Sequence, residues 1–174
     1  LNPDLDLWVD VNKFDTLIAA CQSHEHPFLE NCALCMEKLS CAAALYQGDF
    51  LADFYLNDSN LFEEWAAARR AKWRDEHLHL LNVLNEFHEK GGRFQEATRY
   101  AQKIMQVDPY AEAGCQKLMR IMAKSGDRSG AITLFEQFRH QLAADLGVEP
   151  ASETIAVYHQ VRKAKIAAAG QPLG

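Results

Sequence analysis

Shifting the chain by 34 residues against itself lays Leu84 on Leu118, Gly92 on Gly126 and Ala97 on Ala131, with apolar pairs at Ala101/Phe135 and Ile104/Phe138. The match has a mechanical reading. Gly92 and Gly126 can take the positive φ of a tight turn between helices, Ala97 and Ala131 let two helices approach closely, and Pro109 closes the first unit where a helix must stop. A chain written this way folds as stacked helical hairpins. Two such units bury too little apolar surface to stand alone, since about three are needed. The helices upstream and a further helix expected over Ser152 to Ile166 must therefore complete the array.

The period is the tetratricopeptide length, and it places the repeats at about 78–111 and 112–150. Leu84, Ala97 and Pro109 sit at that repeat's spacing. Asn85 and Met119 stand where it usually has glycine, and the second unit has Ala143 in place of the closing proline. A generic array of α-hairpins is the alternative. Upstream, Phe14, Leu17, Ile18 and Cys21 follow the i, i+3, i+4, i+7 pattern of an amphipathic helix capped near Asn12 or Asp15 and ending before Pro27. A second helix is expected from about Leu29 to Tyr46, followed by a loop that sends Phe50, Leu51, Phe54, Tyr55 and Leu56 towards the core. Asp58-Ser59 then caps a run extending to Lys90, either one long helix or one bent near Trp73 to Glu76. Its cluster of Arg69, Arg70, Lys72 and Arg74 reads as a solvated face.

Only Leu5 to Val11 alternates apolar and acidic residues like a half-buried strand. A lone strand needs a partner, so the expectation is a short N-terminal strand left from a preceding domain, or one paired with a second subunit as in a homodimer. The alternative is an irregular tail packed through Trp8. The fold class is thus all-α, a tetratricopeptide-like right-handed array of antiparallel helix pairs. Residues 1–11 form the strand or linker, 12–168 the helical domain, and 169–174 a flexible tail.

Eighteen Lys and Arg against twenty-four Asp and Glu leave a net charge of −6, which disfavours nucleic-acid or anionic-membrane binding by this chain alone. No stretch approaches the ~20 apolar residues of a membrane span, and Leu1-Asn2-Pro3-Asp4 does not open a signal peptide. The expected location is the cytoplasm. Five cysteines suit reduced thiols or metal ligands there better than a disulfide framework.

Four cysteines crowd into the first quarter of the chain. Cys21-x2-His24-x7-Cys32-x2-Cys35 has the pairing and ligand chemistry of a structural zinc site, with His26 as an alternative ligand. Cys21 would end one helix, His24 and His26 would lie in the loop, and Cys32 and Cys35 would share the opening turns of the next helix. Zinc would then staple the corner. Two other readings stay open: buried cysteines acting as small apolar residues beside exposed histidines, and a redox CxxC. Cys41 lies a turn or more beyond Cys35 and is left out.

Several longer stretches carry a family resemblance: Leu45-Tyr46-Gln47-Gly48-Asp49-Phe50-Leu51, Phe62-Glu63-Glu64-Trp65 with Arg69, Asp108-Pro109-Tyr110-Ala111-Glu112, Leu118-Met119-Arg120 with Gly126, and Leu142 with Leu146-Gly147-Val148-Glu149-Pro150. Together, over roughly Asp10 to Ala167, they resemble the bacterial transcriptional activator domain. That is the tetratricopeptide-like helical module of SARP-type transcriptional regulators, where it follows a winged-helix DNA-binding domain. The resemblance implies a regulatory module that mediates oligomerisation and contacts with its own DNA-binding domain or the transcription machinery, while the winged helix binds DNA. It would make Leu5 to Val11 the last strand of that winged helix.

Tetratricopeptide geometry places His79, Asn82, Glu86, Glu89, Gln116, Arg120 and Lys124 on first-helix faces lining a concave, peptide-holding groove. A groove filled by the chain's own C-terminal helix is the competing expectation. The alternative function is a stand-alone adaptor binding a peptide segment of a partner. An enzyme is not expected, because the chain lacks a Walker A loop, a G-x-G-x-x-G, an H-E-x-x-H and a G-x-S-x-G. His24-Glu25-His26 does not change this, since adjacent side chains point apart on regular backbone.

Overall fold

In a computed structural model, residues 9–25, 29, 32–54 and 59–163 are described. They form seven helices in chain order: α1 (Asp10–Gln22), α2 (Ala33–Leu45), α3 (Asn60–Lys90), α4 (Phe94–Val107), α5 (Glu112–Lys124), α6 (Arg128–Leu146) and α7 (Ser152–Lys163). The fold is all-α and tetratricopeptide-like. The chain divides into two compact units, 1–87 and 88–174.

The second unit carries the repeat pattern into space. Helices α4 and α6 start at Phe94 and Arg128, and α3 and α5 end at Lys90 and Lys124, so the 34-residue shift maps helix boundaries onto one another. Gly92 and Gly126 adopt φ of 70° and 91°, the left-handed turn for which a side chain would be strained. Ala97, Ala101, Leu118 and Ile121 form one buried cluster. Cys115, Met119, Ala131, Phe135, Phe138, Leu142, Val157 and Val161 form another. Ala97 and Ala131 are fully buried, as close helix approach requires. Asp127 caps α6 by accepting the Gly130 N–H at 2.9 Å. Helix α7 packs on both α5 and α6, with Tyr158 stacked on Phe135 at 4.2 Å between ring centroids.

In the first unit α1 packs on α2. Of the expected strand, Leu5 to Trp8 lie outside the described residues, as do Tyr55, Leu56, Asp58, residues 164–168 and the tail at 169–174. Val9 is extended, but its carbonyl accepts the Lys13 N–H at 3.1 Å, so Asp10 and Val11 belong to α1. An acidic side chain at Asp10 suits that first turn because it complements the helix dipole. Helix α2 is shorter than its periodicity suggests: Cys32 takes the N-cap and Tyr46 already leaves the helix. Helix α3 is one continuous helix, and Ser59 Oγ accepts the Phe62 N–H at 3.3 Å at its start. Phe54 is exposed and does not reach the core.

The basic cluster on α3 is not merely a solvated face. Arg70 donates from Nε to the Phe50 carbonyl at 2.7 Å and from Nη2 to the Leu51 carbonyl at 2.9 Å. Arg74 reaches Asp49 at 3.1 Å, and Asp49 also accepts the Tyr46 hydroxyl at 2.8 Å. Arg69 lies over the rings of Trp65 and Trp73, and Lys72 makes an i,i+4 pair with Glu76. Trp73 Nε1 donates to Asp15 at 3.0 Å, tying α3 to α1. Leu51 itself sits at φ 51°, a strained conformation for a branched side chain. A stretch of irregular backbone is thus held against α3 by two guanidinium groups.

Arg70→Met should destabilise the first unit by about 2 kcal/mol, because two charge-assisted bonds to half-buried carbonyls are broken together; urea unfolding followed by Trp fluorescence measures it. Burial, and then Asp49, push the Tyr46 hydroxyl up to about 12 from its ordinary 10.0. The unfolded chain releases that proton first, so this contribution is complete below pH 10.0 and is lost as pH rises towards 12. Tyr46→Phe should flatten the wild type's excess loss of stability across that window in alkaline denaturation.

Candidate functional site

Helix α1 ends at Gln22 with Cys21 buried on its inner face, the chain turns through His24, and α2 opens with Cys32 at its N-cap and Cys35 on its first turn. The i,i+3 spacing puts the last two sulfurs on one face. His24 Nδ1 lies 3.2 Å from Cys35 Sγ and 3.4 Å from Cys32 Sγ. The three ligand atoms all fall within 4.8 Å of one another. Cys21 is not in that tight set, but its thiol donates to the Cys35 carbonyl at 3.6 Å and interacts with the Cys35 thiol. His26 lies outside the described residues, and Cys41 is exposed on α2.

The two CxxC thiols differ in character. Burial, then the neighbouring thiols of Cys32 and Cys21, push Cys35 up to about 12. Cys32 is lowered, chiefly by the backbone N–H of Cys35 and with help from Leu34 N–H and Lys38; desolvation opposes the shift. That attraction is electrostatic, since no side-chain hydrogen bond caps α2. Cys115, alone in the second unit, is also pushed up to about 12 by burial and by Glu112.

The groove residues fall in both units. In the first, His79 borders a cavity of about 390 Å³ whose walls include Ile18, Leu39 and Leu80. Asn82 donates to the Leu78 carbonyl of its own helix at 2.8 Å, and Glu86 is exposed. In the second unit, Lys124 pairs with Glu89 at 2.6 Å. Arg120 is exposed, 3.5 Å from Gln116.

Gln116 faces the chain's own last helix. Its Nε2 donates to Thr154 Oγ1 at 2.8 Å, Thr154 donates to Glu112, and the other Glu112 oxygen accepts the Ala151 N–H at 2.7 Å. Thr154 is fully buried, so this relay joins α5 to the start of α7 without leaving its hydroxyl unpaired. Sequence reasoning singles out neither Thr154 nor the Arg70 clamp. For the clamp, the available signal is the arginine pair at i,i+4 beside an acidic, glycine-containing loop, whereas Thr154 offers none.

Helix boundaries that recur at a fixed period, with left-handed glycine turns at Gly92 and Gly126, define a tetratricopeptide-like scaffold. Residues 9–162 match the bacterial transcriptional activator domain, and the chain belongs to that family. Among solved structures, the chain is similar to Mycobacterium tuberculosis EmbR in complex with a low-affinity phosphopeptide. The TM-score is 0.58 at 21% identity, covering 95% of this chain and 38% of EmbR. The shared feature is the fold, and this chain spans well under half of EmbR's length. No curated protein matches the sequence. No helix among the described residues is long and apolar enough to cross a membrane.

Thr154→Val should cost about 1–3 kcal/mol, because Gln116 and Glu112 lose their shared partner in a half-buried site. Hydrogen exchange should show the loosening first in α7.

Proposed function

We propose that this chain is the regulatory, protein-interaction module of a SARP-type transcriptional activator. The observation that carries the reading is the family match, which runs from residue 9 to residue 162 and so takes in nearly every described residue. The module acts by contact and carries out no catalysis. It joins a second copy, its own DNA-binding domain or the transcription machinery, while a winged helix elsewhere in the polypeptide reads DNA. The net charge of −6 supports that division, since the module by itself is repelled by phosphate. Its place of action is the cytoplasm, where the DNA is.

The residues assigned to the partner face are His79, Asn82 and Glu86 in the first unit and Glu89, Arg120 and Lys124 in the second. Arg120 and Lys124 are the strongest candidates for contact because both are exposed and cationic on a rigid helix. Gln116 contributes mainly by holding α7 in place.

In the full-length polypeptide, the double substitution Arg120→Glu with Lys124→Glu should lower transcription from a reporter promoter roughly tenfold, equivalent to about 1.4 kcal/mol of binding energy. The circular dichroism of the chain should not change. Capture of a second copy and of RNA polymerase subunits, compared with wild type, identifies which partner the substitutions release. Unchanged transcription together with unchanged capture would remove these residues from the interface. If deletion of the whole module also left transcription unaffected, the stand-alone adaptor would be the better reading.

A further inference from the structure

The α1–α2 corner gathers more ligand chemistry than packing alone requires. A buried cysteine used as a small apolar residue has no need of an exposed imidazole turned onto its sulfur, yet His24 Nδ1 faces both Cys32 and Cys35 at 3.4 and 3.2 Å. In a tetrahedral zinc site, Zn–S bonds of about 2.3 Å and Zn–N bonds of about 2.0–2.1 Å make each N···S edge ~3.6 Å. The observed separations are within a few tenths of an ångström of that edge. Cys21 supplies the remaining sulfur: it is the one other described thiol beside the cluster, with Sγ 3.6 Å from the Cys35 carbonyl.

We propose that this corner is a structural zinc site, with His24 Nδ1 and the sulfurs of Cys32, Cys35 and Cys21 as its four ligands. Binding Zn²⁺ exchanges three thiol protons for the ion, leaving three thiolates, a neutral imidazole and a net charge of −1. The surroundings suit that charge. Cys32 stands at the N-cap of α2, where the helix dipole favours an anion. With four protein ligands the ion has no open position for substrate, so its role is to staple α1 to α2. Cys41, exposed on α2, and Cys115, buried in the second unit, lie outside the site and serve as internal controls.

The test is titration of the full, reduced chain with Co²⁺ followed by Zn²⁺. The expected result is saturation at one Co²⁺ per chain, with the visible bands of tetrahedral cobalt and a sulfur-to-cobalt charge-transfer band, both erased by Zn²⁺. Zinc should also raise the thermal midpoint, and a chelator should lower it again. Cys32→Ser and His24→Asn lie at half-buried and exposed positions, so both variants should stay folded by circular dichroism and lose the tetrahedral bands. Cys41→Ser and Cys115→Ser should keep them. Absence of tetrahedral bands in the wild type, or their survival in Cys32→Ser, overturns the site. An unchanged charge-transfer intensity in Cys21→Ser overturns the assignment of Cys21 as the fourth ligand.

Discussion

A pair of backbone carbonyls outside any helix is the constraint around which the first unit is arranged. Phe50 and Leu51 lie in a turn where the Leu51 oxygen accepts the Phe54 N–H at 3.2 Å, and Arg70 serves the oxygens of both residues. Once that guanidinium is placed, the remaining contacts follow from helix geometry. Arg74, one turn on, meets Asp49, and Asp49 in turn holds Tyr46. Tyr46 stacks on the buried ring of His77 at 4.2 Å, and Phe50 packs edge-on against Trp73 at 4.7 Å. Polar and aromatic contacts alternate along one side of α3, so the strained Leu51 backbone is held from several directions. Strain of about 1–3 kcal/mol persists only where the surroundings over-determine it.

The second unit relies mainly on small residues and apolar area, with one guanidinium, that of Arg128, donating to the Val161 carbonyl at 2.6 Å. Gly92 and Gly126 release the chain from one helix into the next, and Ala97 and Ala131 leave room for the neighbouring helix. These features are legible in the sequence because each depends on residue type and spacing alone. Gly at a fixed interval after an apolar helix has few physical readings, and the buried pairs Leu84/Leu118 and Ala101/Phe135 repeat the same faces. The continuous helix from Asn60 to Lys90 is visible as one of two outcomes for the same reason.

What cannot be read ahead depends on distant partners. A row of arginines on a helix looks the same in sequence whether it faces water or a carbonyl twenty residues away, and Arg70 shows the second case. Thr154 resembles any helix-opening threonine until Glu112 and Gln116 are found against it. At the N-terminus, alternation through Val11 suggests a strand, but alternation over so few residues is also compatible with the first turn of a helix. The carbonyl of Val9 decides for the helix from Asp10 on. The cysteine spacing tells which ligands could meet, and the structure draws His24, Cys32 and Cys35 together while setting Cys21 slightly aside.

The polar contacts on α5 also differ in how easily a partner could replace them. The Glu112–Thr154–Gln116 relay is part-buried, so breaking it strands polar groups and costs of order 1–3 kcal/mol. The Lys124–Glu89 pair is different: the lysine is about half exposed, and an ion pair of that kind contributes only about 0–1 kcal/mol. The exposed ammonium of Lys124 can be reached without disturbing the relay, whereas displacing Thr154 would strand Gln116 and Glu112. One helix therefore has a side committed to the fold and a side whose charge is only loosely occupied. An interaction module needs that asymmetry, because binding energy spent on undoing the fold is not available to hold a partner.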